Sequence, residues 1–405
     1  MKKLLKQTYC FYELKGAPFL AKYLRFIFWP IAKLLELSNV CFLANIATGT
    51  GHTTAEIDFF FRRLFFKEIP VNKRYLWIQK PNPYTKGIKR LYSGKGCLFI
   101  ESYLLYALTY PLILAFSNIT VDCGLSRLKW QLPSKKFQFP NKDRNYLWQL
   151  SKKAGILQLA RYYKKCHETQ NYFPLAFFSI KEFRPFSIPD KPFVIIQIKT
   201  SPRNATAKPT DPKTLLATLK YLKQLGFAMV FAGREKMPEQ FYDYSLINYA
   251  ESKQASFEND LYLFSKAEFA ITSGSGIAFL ADRMNKPYLY LNSWQLQMGM
   301  PSAKCIMVPT LIKKRSTNKH LKFKDQMRLY AETFDPGPEN FPEKEYEAIN
   351  ASSEDILASL EELLQKCFSP TKLQKKYKQL APDSPLGKGL SNCSHSFLKK
   401  HQGLL

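Results

Sequence analysis

The chain has 405 residues, 46% of them hydrophobic and 15% aromatic, which excludes a disordered polymer and exceeds what one core normally serves, so two domains are expected. The formal net charge is +28, and residues 1–190 hold 30 Lys and Arg against 11 Asp and Glu, which places +19 of it in the first half. A field of that sign gathers anionic partners, either nucleic acid or an anionic lipid surface, while the eight scattered cysteines show no CxxC pair and read as free thiols of a reducing cytosol.

The chain opens on Lys2 and Lys3, but Lys6, Glu13 and Lys15 break the apolar stretch that follows, which argues against a cleaved signal peptide. Phe19 to Leu37 mixes aromatic and aliphatic residues with Lys22, Arg25 and Lys33. It reads either as an interfacial amphipathic helix kinked at Pro30 or as a terminal helix packed on the first domain. A strand is expected over Val40 to Ile46, ending in the turn Gly49-Thr50-Gly51-His52, with Glu56 and Asp58 just beyond. His52 is the only histidine near an expected cleft. A histidine's ordinary pKa lies close to neutrality and suits a general base. Glu56 is the competing base, and a plain helix-capping role for His52 is the alternative. Leu98 to Phe116 is apolar enough and long enough to span a bilayer. Glu101 is costly in lipid, however, so a buried or membrane-facing helix is expected, followed by a strand over Ile119 to Val121.

In the second half, Pro192 to Lys199 reads as a buried strand. Asp211 to Gly226 is a helix with both ends marked, by Asp211 as N-cap, Pro212 at N1 and Gly226 at the C-terminus. Phe227 to Ala232 is the next strand, with Gly233-Arg234 as its exit turn, then a short strand at Leu246 to Ala250 and a helix from Phe257 to Lys266. Phe269 to Ile271 is a strand that ends in Thr272-Ser273-Gly274-Ser275-Gly276 and leads into a helix and the strand before Asn292. A glycine-serine turn opening a helix offers unpaired backbone N–H groups to a phosphate, although an ordinary N-cap explains it equally well. Strands alternating with helices imply a parallel sheet, whose ligands bind at the carboxyl ends of the strands.

The order Arg203-Asn204, Phe231-Ala-Gly-Arg234, Tyr249-Ala-Glu-Ser252, Asp260 to Ala267, Ser273-Gly-Ser-Gly276, Lys286-Pro287 and Tyr290-Leu-Asn292 resembles a bacterial glycosyltransferase family of GT-B type. In the first half the likeness continues at Gly49-Thr-Gly51-His52 and covers most of residues 40–365. Gly274 stands where that family usually has an acidic residue, so a carboxylate contact to a donor hydroxyl is not expected here. The resemblance implies an α/β fold with two Rossmann-like domains facing a cleft, plus a basic N-terminal helix and C-terminal tail. The acceptor domain would span 1–185, the nucleotide-sugar donor domain 190–365 and the basic tail 366–405.

The implied donor-binding residues are Gly49, Gly51, Arg203, Asn204, Gly233, Arg234, Ser252, Ser273, Gly274, Ser275 and Gly276, with His52 or Glu56 as catalytic base. The expected reaction transfers a sugar from a nucleotide-sugar to a surface-glycan or lipid-linked acceptor, at the cytoplasmic face of an anionic membrane. No Asp-x-Asp triplet occurs, so neither a metal nor a cofactor is expected and the nucleotide-sugar enters as substrate. The chain also lacks GxxxxGK[ST], HExxH and GxGxxG, which leaves P-loop, metallohydrolase and nicotinamide chemistry without support. The rival readings are a nucleic-acid-binding protein using the basic first half, with nucleic acid disfavoured as a partner, and a non-catalytic sugar-nucleotide-binding protein.

Overall fold

A computed structural model describes Tyr12 and residues 16–43, 50–81, 83–84, 87–89, 96–121, 189–200, 209–293, 300, 302–332, 341–380 and 390–405. The chain divides into two compact units, Met1–Gln158 and Leu159–Leu405.

The first unit begins with two helices, α1 (Ala17–Tyr23) and α2 (Arg25–Leu37). Of the two sequence readings, the one with a kink at Pro30 misplaces the break: it falls at Leu24, whose φ of −106° leaves the helical range, and Pro30 sits inside α2. A four-stranded parallel sheet follows, built from β1 (Val40–Leu43), β2 (Arg74–Gln79), β3 (Cys97–Glu101) and β4 (Thr120–Val121) in the order β3-β2-β1-β4. Helix α3 (Thr50–Phe65) connects β1 to β2, and α4 (Tyr103–Ala115) connects β3 to β4. The apolar run 98–116, expected as one helix, is therefore split between strand and helix. Ser102 makes the break, because its extended backbone and a hydroxyl accepting from Leu105 N–H cap α4. Among the described residues no helix is long and apolar enough to cross a membrane. Tyr106 and Tyr110 of α4 stack 5.1 Å apart and pack with Ala17, Ala21, Ala32 and Phe42 in one core.

The second unit is a doubly wound α/β structure. Its strands are β5 (Phe193–Gln197), β6 (Ala228–Phe231), β7 (Ile247–Asn248), β8 (Phe269–Ser273), β9 (Tyr288–Ser293) and β10 (Cys305–Pro309). They join β14 (Asn392–Cys393) in a seven-stranded sheet of order β14-β10-β9-β8-β5-β6-β7, and every pairing is parallel. The main helices are α5 (Leu216–Gln224), α6 (Phe257–Lys266), α7 (Ala278–Arg283), α8 (Phe323–Glu332), α9 (Ser353–Leu364), α10 (Lys372–Gln379) and α11 (His395–Lys400). A small antiparallel sheet, β12-β11-β13, adds β11 (Leu311–Lys314), β12 (Lys319–His320) and β13 (Tyr346–Ile349).

Burial explains the run of β-branched and aromatic residues in the central strands. Val194, Ile196, Phe231 and Ile271 pack against Leu219 of α5 and Leu360 of α9 in the main core. The alternate residues Ile195, Val230 and Ala270 are equally buried on the other face, as the two-residue period of a strand requires. Asp211 caps a 3₁₀ turn, Pro212–Leu215, that runs into α5, and Gly226 closes it with a φ of 81°. Residues 366–405, expected as a tail, are built into this unit where they are described. β14 pairs with β10, while Phe397 and Leu398 of α11 are wholly buried in the core.

Candidate functional site

The order of the large sheet fixes where a ligand can reach main chain. From β5 the chain moves outward through β6 to β7, whereas from β8 it moves the opposite way through β9 to β10. β5 and β8 are therefore the topological switch point, and their connections leave to opposite sides, opening a crevice at their carboxyl ends. In register, Gln197 of β5 lies beside Thr272 of β8.

Several groups meet at this edge. Ser273, the last residue of β8, is wholly buried, and its Oγ accepts from Lys199 N–H at 2.7 Å. The sequence placed Thr272 and Ser273 in the turn; both belong to the strand, so this hydroxyl ties the exit of β5 to that of β8. Beyond it, Ser275 Oγ accepts from Ile277 N–H at 3.5 Å, and Ala278 N–H donates to the Ser275 carbonyl at 3.1 Å. The Ser-Gly-Ser-Gly turn thus carries its own cap, and α7 begins only at Ala278.

Gln197 is the last residue of β5 at this edge. It is buried, and among the described residues its side-chain carbonyl oxygen has no hydrogen-bond partner, which is costly for a polar atom in a protein interior unless something else supplies a donor. Its Cγ lies 3.1 Å from where a Cβ on Gly233 would stand, and Gly233 has a φ of 112°, so glycine is required there for both backbone and space. Arg234 follows, exposed at the exit of β6. Ser252, after β7, has a buried Oγ that is likewise without a hydrogen-bond partner among the described residues.

A second cluster borders Arg234. The Tyr249 hydroxyl accepts from Ser256 N–H at 3.1 Å and lies within reach of the Asp260 carboxyl near the start of α6. Burial pushes the Asp260 carboxyl up to about 7, against the opposing pull of the Tyr249 hydroxyl and the Arg234 charge. Asn292 of β9, part of the Tyr290-Leu-Asn292 match, is spent on structure: it donates to Thr210 Oγ1 at 3.0 Å and accepts from Ala351 N–H at 2.9 Å.

The sequence-derived donor residues divide accordingly. Gly233, Arg234, Ser252, Ser273, Gly274, Ser275 and Gly276 all fall at the carboxyl ends of β6, β7 and β8. Arg203, Asn204 and Gly49 lie outside the described residues. In the first unit, Gly51 and His52 are in the first turn of α3, a helix from Thr50 where a turn was expected, and the His52 side chain is outside the described residues. Glu56 is fully buried on the same helix, and Asp58 pairs with Arg62 Nε at 2.5 Å. Sequence reasoning did not single out Gln197 or Lys199, and it took Tyr249 and Asp260 only as parts of matching motifs, with no role in the site. A polar residue closing an all-apolar strand, as Gln197 closes Phe193-Val-Ile-Ile, was the available signal.

No protein-family model matches the chain, and a search of curated proteins finds no match. Among solved structures, the ADP-heptose lipopolysaccharide heptosyltransferase II of E. coli aligns at 12% identity over 81% of this chain and 99% of its own, with a TM-score of 0.41. A glycosyl transferase family 9 protein from Veillonella parvula aligns at 9% identity over 81% and 97%, with a TM-score of 0.40. The iron-containing dodecameric glycosyltransferase TibC of enterotoxigenic E. coli gives 13% identity over 64% of this chain and a TM-score of 0.37, and the alignment spans 59% of TibC's own length.

Proposed function

We propose that this protein is a glycosyltransferase of GT-B type that binds a nucleotide-sugar at the carboxyl edge of the large sheet and passes the sugar to a surface-glycan or lipid-linked acceptor without a metal. The observation that carries this reading is the buried Gln197 carbonyl at the β5/β8 switch point, unpartnered among the described residues, beside a glycine-serine turn and the exposed Arg234. A sugar or ribose hydroxyl can donate to Gln197. The amides of 274–276 and the guanidinium of Arg234, joined by Arg203, match the charge that builds on the departing phosphate. Glu56 is wholly buried, which favours His52 as the group that takes the acceptor's proton.

The test is a thermal-shift and calorimetric screen of nucleotide-sugars in the presence of a chelator, because a ligand that binds only the native state raises the midpoint. At least one nucleotide-sugar should bind, and Gln197→Leu, which keeps the volume but removes the acceptor, should weaken it by about 1–3 kcal/mol. Binding without turnover in every acceptor mixture would support the sugar-nucleotide-binding alternative. Binding of short single-stranded oligonucleotides with none of the sugar nucleotides would replace both by the nucleic-acid reading.

A further inference from the structure

We infer that the outer face of α2, with the end of α1 that leads into it, is a docking surface for an anionic lipid bilayer. A helix packed on a domain normally turns its polar residues to water. α2 does the reverse. Its inner face is conventional: Ala32 is buried and Phe28 and Leu35 pack against the core of the first unit. On the opposite face, at about 100° per residue, stand Phe26, Ile27, Pro30, Leu34 and Leu37, with no charged residue among them. Phe26 is 73% exposed, Leu34 65% and Leu37 71%. Phe26, Ile27, Trp29, Ile31, Leu34 and Leu37, six of the exposed large apolar side chains among the described residues, lie on α2 alone, and Phe19 and Tyr23 on α1 add to them. That concentration exceeds the scattered apolar surface normal for a monomer.

Charge selects the occupant. Between residues 16 and 37 the charged side chains are Lys22, Arg25, Lys33 and Glu36; Lys33 and Glu36 pair at 3.0 Å and cancel, which leaves the positive charge of Lys22 and Arg25 uncompensated on this stretch. Trp29 and Tyr23 are amphipathic rings of the kind that settle at headgroup depth. An apolar face edged by cations and interfacial aromatics, on the half of the chain that carries +19, matches an interfacial helix on anionic lipid better than it matches a protein groove. The surface belongs to the first unit and does not depend on the donor site in the second.

The experiment is co-sedimentation of the full-length protein with phosphatidylglycerol-containing and with pure phosphatidylcholine vesicles, at low and high salt. Analytical ultracentrifugation without lipid runs alongside. Anionic vesicles should bind the protein, neutral ones weakly, and high salt should release only part, because inserted apolar area is insensitive to screening. Phe26→Ser with Leu34→Ser should weaken partitioning by roughly tenfold or more while leaving the midpoint of unfolding and nucleotide-sugar binding in place, since both side chains are exposed. Lys22→Glu with Lys33→Gln should reduce binding to anionic vesicles and leave neutral ones unaffected. The inference is overturned if the serine variant binds vesicles as tightly as the wild type, if high salt releases the protein completely, or if the wild type is a dimer that the serine variant dissolves, which would make the face a contact between two copies of this chain.

Discussion

At the residue scale, the carboxyl edge of the large sheet holds two positions where chemistry and backbone are under tension. Gly233 combines a φ of 112° with a neighbour, Gln197 Cγ, 3.1 Å from any added Cβ. Gly233→Val should therefore cost about 1–3 kcal/mol of stability through backbone strain and weaken nucleotide-sugar binding by displacing Gln197; chemical denaturation and calorimetry measure the two effects separately. Retained affinity in a folded variant would remove Gln197 from the site. Asp260 is the second position. Its folded pKa is raised by burial from an ordinary carboxyl value to about 7, so across the window from about 4 to 7 the native state holds a proton that the unfolded chain has released. Stability must then fall as pH rises through that window. Asp260→Asn should be more stable than the wild type at pH 8 and little different at pH 4, a divergence with rising pH that thermal scans at the two pH values detect directly.

At the scale of elements, the last segment of the chain is a structural member. β14 completes one side of the seven-stranded sheet, and α11 is bolted to α9 through Asp355, whose carboxylate meets Lys400 at 3.0 Å and His401 Nε2 at 3.4 Å while accepting from Ser352 in a capping box. Burial opposes its charge, yet the hydrogen bonds from His401, Lys400 and Ser352 win and hold the carboxyl down at about 2. The sign is opposite to that of Asp260: the stability from Asp355 is present above about pH 4 and lost as pH falls towards 2. Asp355→Ala should cost about 1–3 kcal/mol at neutral pH, a deficit that shrinks in acid. Deleting residues 390–405 strips Phe397 and Leu398 from the core, so the truncated protein should lose cooperative unfolding of the second unit, as followed by near-ultraviolet circular dichroism. A truncation that leaves the transition intact would restore the view of these residues as an appendage.

On the scale of the whole molecule, each unit has its own buried cluster, one around Tyr106 and Tyr110 and the other around Ile196 and Phe231. Two cores favour two unfolding transitions over one. In scanning calorimetry a bound nucleotide-sugar should raise only the transition of the second unit, by about 2.7 kcal/mol at a hundredfold excess over the dissociation constant. Vesicles should act on the first unit instead. A donor that moves both transitions equally would mean that the two units unfold as one.

The sequence by itself determined the elements whose signals are local. Asp211, Pro212 and Gly226 mark a helix through capping and backbone preference. Phe257–Lys266 is the helix expected between two strands, with Ser256 as the cap the structure adds, and Phe193–Gln197 follows from an unbroken apolar run that only a strand covered on both faces can bury. The carboxyl ends of those strands, and with them Gly233, Arg234 and the 273–276 turn, could be named before any coordinates. Other features depended on partners distant along the chain. That Leu98–Phe116 divides at Ser102 reflects pairing of β3 with β2, which no local hydrophobic count contains. That Ser273 accepts from Lys199, 74 residues away, and that Gln197 is left unpartnered follow from strand order, a property of the assembled sheet. The C-terminal segment reads as basic because Lys372, Lys375, Lys376, Lys399 and Lys400 are exposed, while Tyr377, Cys393, Phe397 and Leu398, which bind it to the core, are spread between them. Only the tertiary structure revealed that the apolar face of α2 is turned outward, since the same residues would serve equally well in a core, and burial is decided by what packs against them.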